Sequence, residues 1–134
     1  MNWIGCNEAC AWAGGHICKE KEWNLACKFS DSELFPYGSK YIEGVCNLGL
    51  NGEGRSLAAP GAYRGCEGGI PGVFDILGNV GEWLQDGKGD SYRKFRASSV
   101  QHNGPLSLDC TPRCGGNQKT FSSPTIGCRC SKEL

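Results

Sequence analysis

Two short helices followed by loop-rich β structure, in a disulfide-rich α+β domain, is the fold class this sequence predicts. Three observations carry it. Helical periodicity is confined to the first 29 residues, 21 of the 134 residues are glycine, and ten cysteines are spread from Cys6 to Cys130. The first helix is expected over Asn7 to Ala13, because the following Gly14-Gly15 is a helix stop. The second is expected over Lys19 to Phe29, where Trp23, Ala26 and Cys27 fall at i, i+3 and i+4 and form one buried stripe. From Ser30 to Gly72 the chain is rich in Gly, Ser, Asn and Pro, which predicts a long loop-dominated insertion pinned by Cys46 and Cys66. Strand signals follow at Gly81–Leu84, Tyr92–Val100 and Thr125–Cys130. The polar stretch from Gln101 to Pro124 reads as a surface loop system.

A chain of this length fits one domain, residues 1–134, with one modest core. Fourteen basic residues balance fourteen acidic ones, so composition gives no argument for a nucleic-acid partner. The apolar runs are only a few residues long, so no direct membrane insertion is expected. Ten cysteines along the whole chain point to disulfides, and hence to the cell surface or another oxidising environment. The opening Met1-Asn2-Trp3-Ile4-Gly5 carries no visible signal peptide, which conflicts with that compartment. The spacings Cys6/Cys10 and Cys110/Cys114 keep a zinc site open. Cys128-x-Cys130 would place two thiols on one face of a strand, which fits two bridges to neighbouring elements.

The most informative segment is Gly72-Val73-Phe74-Asp75-Ile76-Leu77-Gly78-Asn79-Val80-Gly81-Glu82-Trp83. Its apolar residues are too irregular for a helix, and Asp75 and Glu82 bracket a Gly-Asn turn. Such a run can wrap carboxylate and carbonyl oxygens around a hard cation such as calcium. It can equally be a tight turn between two core strands that buries Phe74, Ile76 and Trp83.

Six islands in order complete the pattern: Trp12-Ala13-Gly14-Gly15, Glu22-Trp23, Phe35-Pro36-Tyr37-Gly38, Cys46-Asn47, Pro71 through Trp83, and Ile126-Gly127-Cys128-Arg129-Cys130. Together they resemble the sulfatase-modifying-factor, or formylglycine-generating-enzyme, family. That family is written roughly W-A-G-x-R-L-P-T-E-A-E-W, then Y-P-W-G, G-L-x-D-M-x-G-N-V-W-E-W, R-G-G-S-W and G-F-R. The resemblance covers nearly the whole chain and implies a C-type-lectin-like fold: two helices, small antiparallel sheets and long irregular loops. It also implies that the N-terminal part of full-length family enzymes is missing here. For the cysteines it implies pairing of Cys10 with Cys130 and of Cys27 near Cys110, with Cys46 and Cys66 then stapling the insertion; Cys6, Cys18, Cys114 and Cys128 stay unassigned. For calcium it implies Asp75 and Glu82 as side-chain ligands and Gly78 and Val80 as carbonyl ligands. A second calcium site would begin at Asn47 and Leu48.

Family enzymes oxidise a substrate cysteine using copper held by two active-site cysteines. The corresponding positions here fall near His102 and Ser107, which are not thiolates, so no copper and no catalysis are expected. The two histidines, His16 and His102, form no paired metal motif, and His16 reads as a surface or packing residue. What the resemblance leaves is a scaffold that displays loops, as in the variable proteins of diversity-generating retroelements. The expected ligand-binding residues are Tyr92, Gln101, His102, Asn103, Asn117, Gln118, Phe121, Ser123 and Thr125, with a protein or glycan as partner. The competing readings are a divergent or truncated copper oxidase and a structural module of a cell-surface protein.

Overall fold

The structure, a computed structural model, describes residues 1–48, 56–97, 109–111 and 114–133. Helix α1 runs over Trp3–Trp12, four residues ahead of the expected start. Asn2 sets that start: its side-chain oxygen accepts the Gly5 N–H at 2.9 Å, and Trp3, Cys6 and Cys10 line the buried face. Helix α2, Glu20–Cys27, keeps the expected stripe of Trp23, Ala26 and Cys27. Its first turn is closed by Glu22, whose carboxylate accepts the Lys19 N–H at 2.8 Å.

Six strands occur among the described residues. Strands β1 (His16–Ile17) and β6 (Cys130–Ser131) form a small antiparallel pair. Strands β2 (Gly81–Lys88), β3 (Tyr92–Arg96), β4 (Cys114–Gln118) and β5 (Ile126–Cys128) form a sheet in the order β4-β3-β2-β5. Three of its strands are antiparallel, but β5 runs parallel to β2. The segment from Ser30 to Gly72 shows no helix or named strand among its described residues, as its composition predicts. Strand β4 was expected as loop. Its Cys-Gly-Gly-Asn-Gln sequence lacks strand-forming residues, and tertiary pairing with β3 overrides that preference.

Strand β2 divides the interior. Successive side chains on a strand face opposite sides, so Trp83 and Leu84 enter different cores. Leu84 joins Trp23, Cys27, Phe35, Ile76 and Leu77 in the larger cluster. Trp83 joins Trp3, Cys6, Cys10, Ile17 and Ile126 in the smaller one. Three disulfides tie these layers, and they are the same three pairs that the resemblance implies: Cys10–Cys130, Cys27–Cys110 and Cys46–Cys66. The first closes a separation of 120 residues and the second 83. Loops of that length give a chain-entropy contribution of roughly 4 to 5 kcal/mol per bridge. No described helix is long and apolar enough to cross a membrane.

Candidate ligand-binding site

The Gly72–Trp83 segment is a frame built by tight turns. Asp75 and Asn79 both adopt left-handed backbone, with φ of 55° and 60°. Asn79 holds its turn by accepting from Asn47 Nδ2 at 3.1 Å and the Ala58 N–H at 2.9 Å while donating to the Ala58 carbonyl at 3.1 Å. Asp75 Oδ2 accepts the Gly61 N–H at 2.6 Å. Ile76 and Trp83 are buried, whereas Phe74 is half-buried beneath the Arg64 guanidinium. Strand β2 begins within this run, but among the described residues no strand lies between α2 and it; Phe74 makes an isolated bridge to Glu67.

Glu82, six per cent exposed, is the electrostatic centre of the frame. Its Oε2 accepts from the Trp23 indole N–H at 2.6 Å and from Arg129 Nε at 3.1 Å, and its Oε1 accepts from Arg129 Nη2 at 2.6 Å. Arg129 Nη2 also donates to the Phe74 carbonyl at 3.0 Å, joining the last strands to the frame. A bidentate guanidinium–carboxylate pair of this kind is short, charge-assisted and geometrically specific.

This arrangement bears on the expected calcium ligands. Calcium takes six to eight oxygens. Glu82 already accepts three donors, two on Oε2 and one on Oε1, so a calcium ion held by the expected ligands Asp75, Gly78, Val80 and Glu82 would have to share Glu82 with Arg129. At the second expected site, Asn47 Oδ1 is a buried acceptor without a donor among the described residues. Asn47 Oδ1 and the Leu48 carbonyl would supply two of the oxygens such an ion takes. No cluster of three His, Cys, Asp or Glu side chains suited to a metal occurs among the described residues.

On the other face of the sheet lies a cavity of about 230 Å³, lined by Gly81, Phe95, Ala97, Asn117, Phe121, Ser123, Thr125 and Ile126. Four of the expected binding residues, Asn117, Phe121, Ser123 and Thr125, come together there. Tyr92 does not; it lines a separate groove of about 580 Å³ with Lys88, Lys94 and Cys114. Gln118 is exposed at the end of β4 and lines neither. Gln101, His102 and Asn103, with the positions near His102 and Ser107, lie outside the described residues.

The cavity lining carries no charged side chain. Phe95, Phe121 and Ile126 supply apolar wall, and Asn117, Ser123 and Thr125 supply hydrogen-bonding groups. Phe95 escaped the sequence reading. It is held edge-on to Trp83, with ring centroids 5.4 Å apart, and lies against Gly115 on β4, where an added Cβ would meet its ring at 2.7 Å. Gly81 also escaped, although a signal was present: the family pattern places Trp at this point of its G-N-V-W-E-W run. An added Cβ at Gly81 would meet the Arg96 carbonyl at 2.7 Å and approach Ile126 and Thr125, so the bare backbone here keeps the cavity open.

Two of the thiols outside the disulfides are raised by burial. Burial pushes the Cys18 thiol up to about 12. Desolvation also raises Cys114, whose thiol donates to Glu20 at 3.4 Å. His16 sits in β1 with Nε2 3.0 Å from both Glu22 oxygens, a packing partner for the start of α2.

The chain matches the model of the sulfatase-modifying factor enzyme 1-like domain over residues 1–134. It is 25% identical over 148 residues to the inactive Cα-formylglycine-generating enzyme 2 of Mus musculus, covering 98% of this chain and 47% of that protein. It is 27% identical over 96 residues to the formylglycine-generating enzyme of Mus musculus, covering 64% of this chain and 26% of the enzyme. Among solved structures it resembles PvdO from Pseudomonas aeruginosa, with a TM-score of 0.72, 16% identity, and coverage of 95% of this chain and 58% of that one. CarF is similar at a TM-score of 0.69 and 20% identity, covering 89% of this chain and 48% of that one. The chain thus spans about half or less of the length of these curated relatives. The fold, the ordered motifs and the family match agree: this chain belongs to the sulfatase-modifying-factor, or formylglycine-generating-enzyme, family.

Proposed function

We propose that this chain is a non-catalytic binding domain that takes an uncharged group of a protein or glycan ligand into the cavity beside Gly81. The observation that carries this reading is the convergence of Asn117, Phe121, Ser123 and Thr125 on one uncharged cavity with an apolar wall. Binding sites of this kind combine apolar lining with a few placed polar groups. The similarity to a mammalian relative named as inactive supports a member of the family without the family's catalysis. The finer reading is a variable protein of a diversity-generating retroelement, with the cavity-lining C-terminal residues as its diversified positions.

The test is a binding screen of the purified chain against arrayed neutral glycans and uncharged peptides, followed by F121A and N117A on any ligand found. Each substitution should cost about tenfold or more in affinity, the scale of a binding hot spot. Unchanged affinity in both would place the ligand elsewhere. Oxygen uptake with copper on a cysteine-containing peptide would instead support the oxidase reading, for which the similarity to formylglycine-generating enzyme is the motivating observation. For the retroelement, a neighbouring reverse transcriptase gene and a near-copy of this gene's 3′ end are expected. Sister copies that vary evenly, rather than at the cavity, would defeat it.

A further inference from the structure

Four cysteines stand outside the three disulfides: Cys6, Cys18, Cys114 and Cys128. Two of them have other company. Cys18 is buried in the larger core, and Cys114 lies between Glu20 and the Arg96 guanidinium. The other two face each other. Cys6 is fully buried on α1 and Cys128 is half-buried at the end of β5, both in the smaller core. Their sulfurs lie 3.5 Å and 3.9 Å from the same Met1 Sδ.

The geometry has a reason in the chain. Cys6 precedes Cys10 by four residues on one helical face, a rise of about 6 Å. Cys128 precedes Cys130 by two residues of extended chain, an advance of about 6.6 Å. The two spacings match, so the bond between Cys10 and Cys130, with Cα atoms 5.3 Å apart, puts Cys6 opposite Cys128 one rung away. We propose that Cys6 and Cys128 are the site of a fourth cross-link, formed by thiol–disulfide exchange with a low-molecular-weight disulfide such as oxidised glutathione.

In the first step the Cys128 thiolate attacks one glutathione sulfur. A mixed disulfide forms, and one glutathione thiolate leaves and takes up a proton. Cys6 then gives up its proton and attacks Cys128 Sγ, expelling the second glutathione. Two protein thiols are oxidised and one glutathione disulfide is reduced to two thiols. The order follows from the surroundings: a hydrogen bond from Cys6 holds Cys128 below the usual thiol range, while the same contact and burial push Cys6 up. The link would brace α1 against β5, and thus the Ile126 wall of the cavity.

The experiment equilibrates the full chain with oxidised glutathione, alkylates the remaining thiols under denaturing conditions, and maps the peptides without reduction. Cleavage after Glu8 and after Arg129 separates Cys6 from Cys10 and Cys128 from Cys130. A joined Cys6–Cys128 peptide is expected, with alkylation only at Cys18 and Cys114. In a C6A variant, Cys128 should become alkylated or glutathionylated while the other bridges persist. Cys6 and Cys128 both alkylated beside an intact Cys10–Cys130 peptide would overturn the proposal. So would Cys6 joined to Cys130, or a dithiol that stays reduced and instead holds Cu(I) with the Met1 thioether.

Discussion

The frame around Glu82 and the cavity beside Gly81 are built from the two sides of one strand, and they treat polar groups in opposite ways. In the frame, both Glu82 oxygens, the Trp23 indole and the Asn79 amide are committed to partners inside the fold. In the cavity, charge is absent and the polar side chains are small and uncharged. A buried charge without a partner is costly, so the frame can tolerate little change. An uncharged cavity in a rigid sheet can exchange side chains at low cost. The contrast separates what holds this domain together from the cavity proposed to bind.

The largest effect should come from breaking the frame. In R129M, Glu82 loses its guanidinium and keeps only the Trp23 N–H, leaving a buried carboxylate poorly compensated. A loss of about 3 to 5 kcal/mol in urea unfolding is expected, enough to unfold much of a marginally stable domain. The double variant E82Q/R129M should recover part of that loss, because the amide oxygen still accepts from Trp23 without leaving a charge. A cost below about 1 kcal/mol for R129M would erase the contrast between frame and cavity.

A smaller effect is expected at the rim of the sheet. The Lys94 ammonium donates to Glu20 at 2.7 Å, and that hydrogen bond holds the Glu20 carboxyl below the usual range of 4.5. A carboxyl with a lowered folded pKa contributes stability that is present above its unfolded value and is lost as pH falls through its folded value. The pair is partly exposed, with side chains 22% and 38% accessible, so its worth is a few tenths of a kcal/mol. K94M should therefore be slightly less stable than the parent near neutral pH, and the gap should close below about 4.5. A gap that is constant down to strongly acid pH would mean that Lys94 acts through packing alone.

How much of this was legible depends on the range of the interaction involved. Helix α2 could be read from Trp23, Ala26 and Cys27 because a helical stripe is local. The start of α1 was not, because its cap, Asn2, precedes the residues whose pattern suggested a helix. Strand β4 was invisible because Gly115 and Gly116 have no strand preference of their own; they are there to make room for Phe95 and Tyr92. Residue type nominated Asn117, Phe121, Ser123, Thr125 and Tyr92 alike, but only pairing in the sheet could gather the first four at one cavity and divert Tyr92 to another groove. Glu82 is the clearest case. Its spacing from Asp75 is local and resembles a cation loop, but its partner Arg129 lies 47 residues away.

The smallest expected effect is the response to calcium, and it sharpens the frame's side of the comparison. If Arg129 already neutralises Glu82, the ion has no charge left to satisfy there. Melting of the parent chain in millimolar calcium and in chelator should then coincide. D75N should lose the same stability in both conditions, since its change would be confined to the acceptor facing the Gly61 N–H. A calcium-dependent rise in Tm that D75N abolishes would show that the ion can compete with Arg129 for the frame. In that event R129M should bind calcium more tightly than the parent, because the competing guanidinium would be gone and the carboxylate free to turn to the metal.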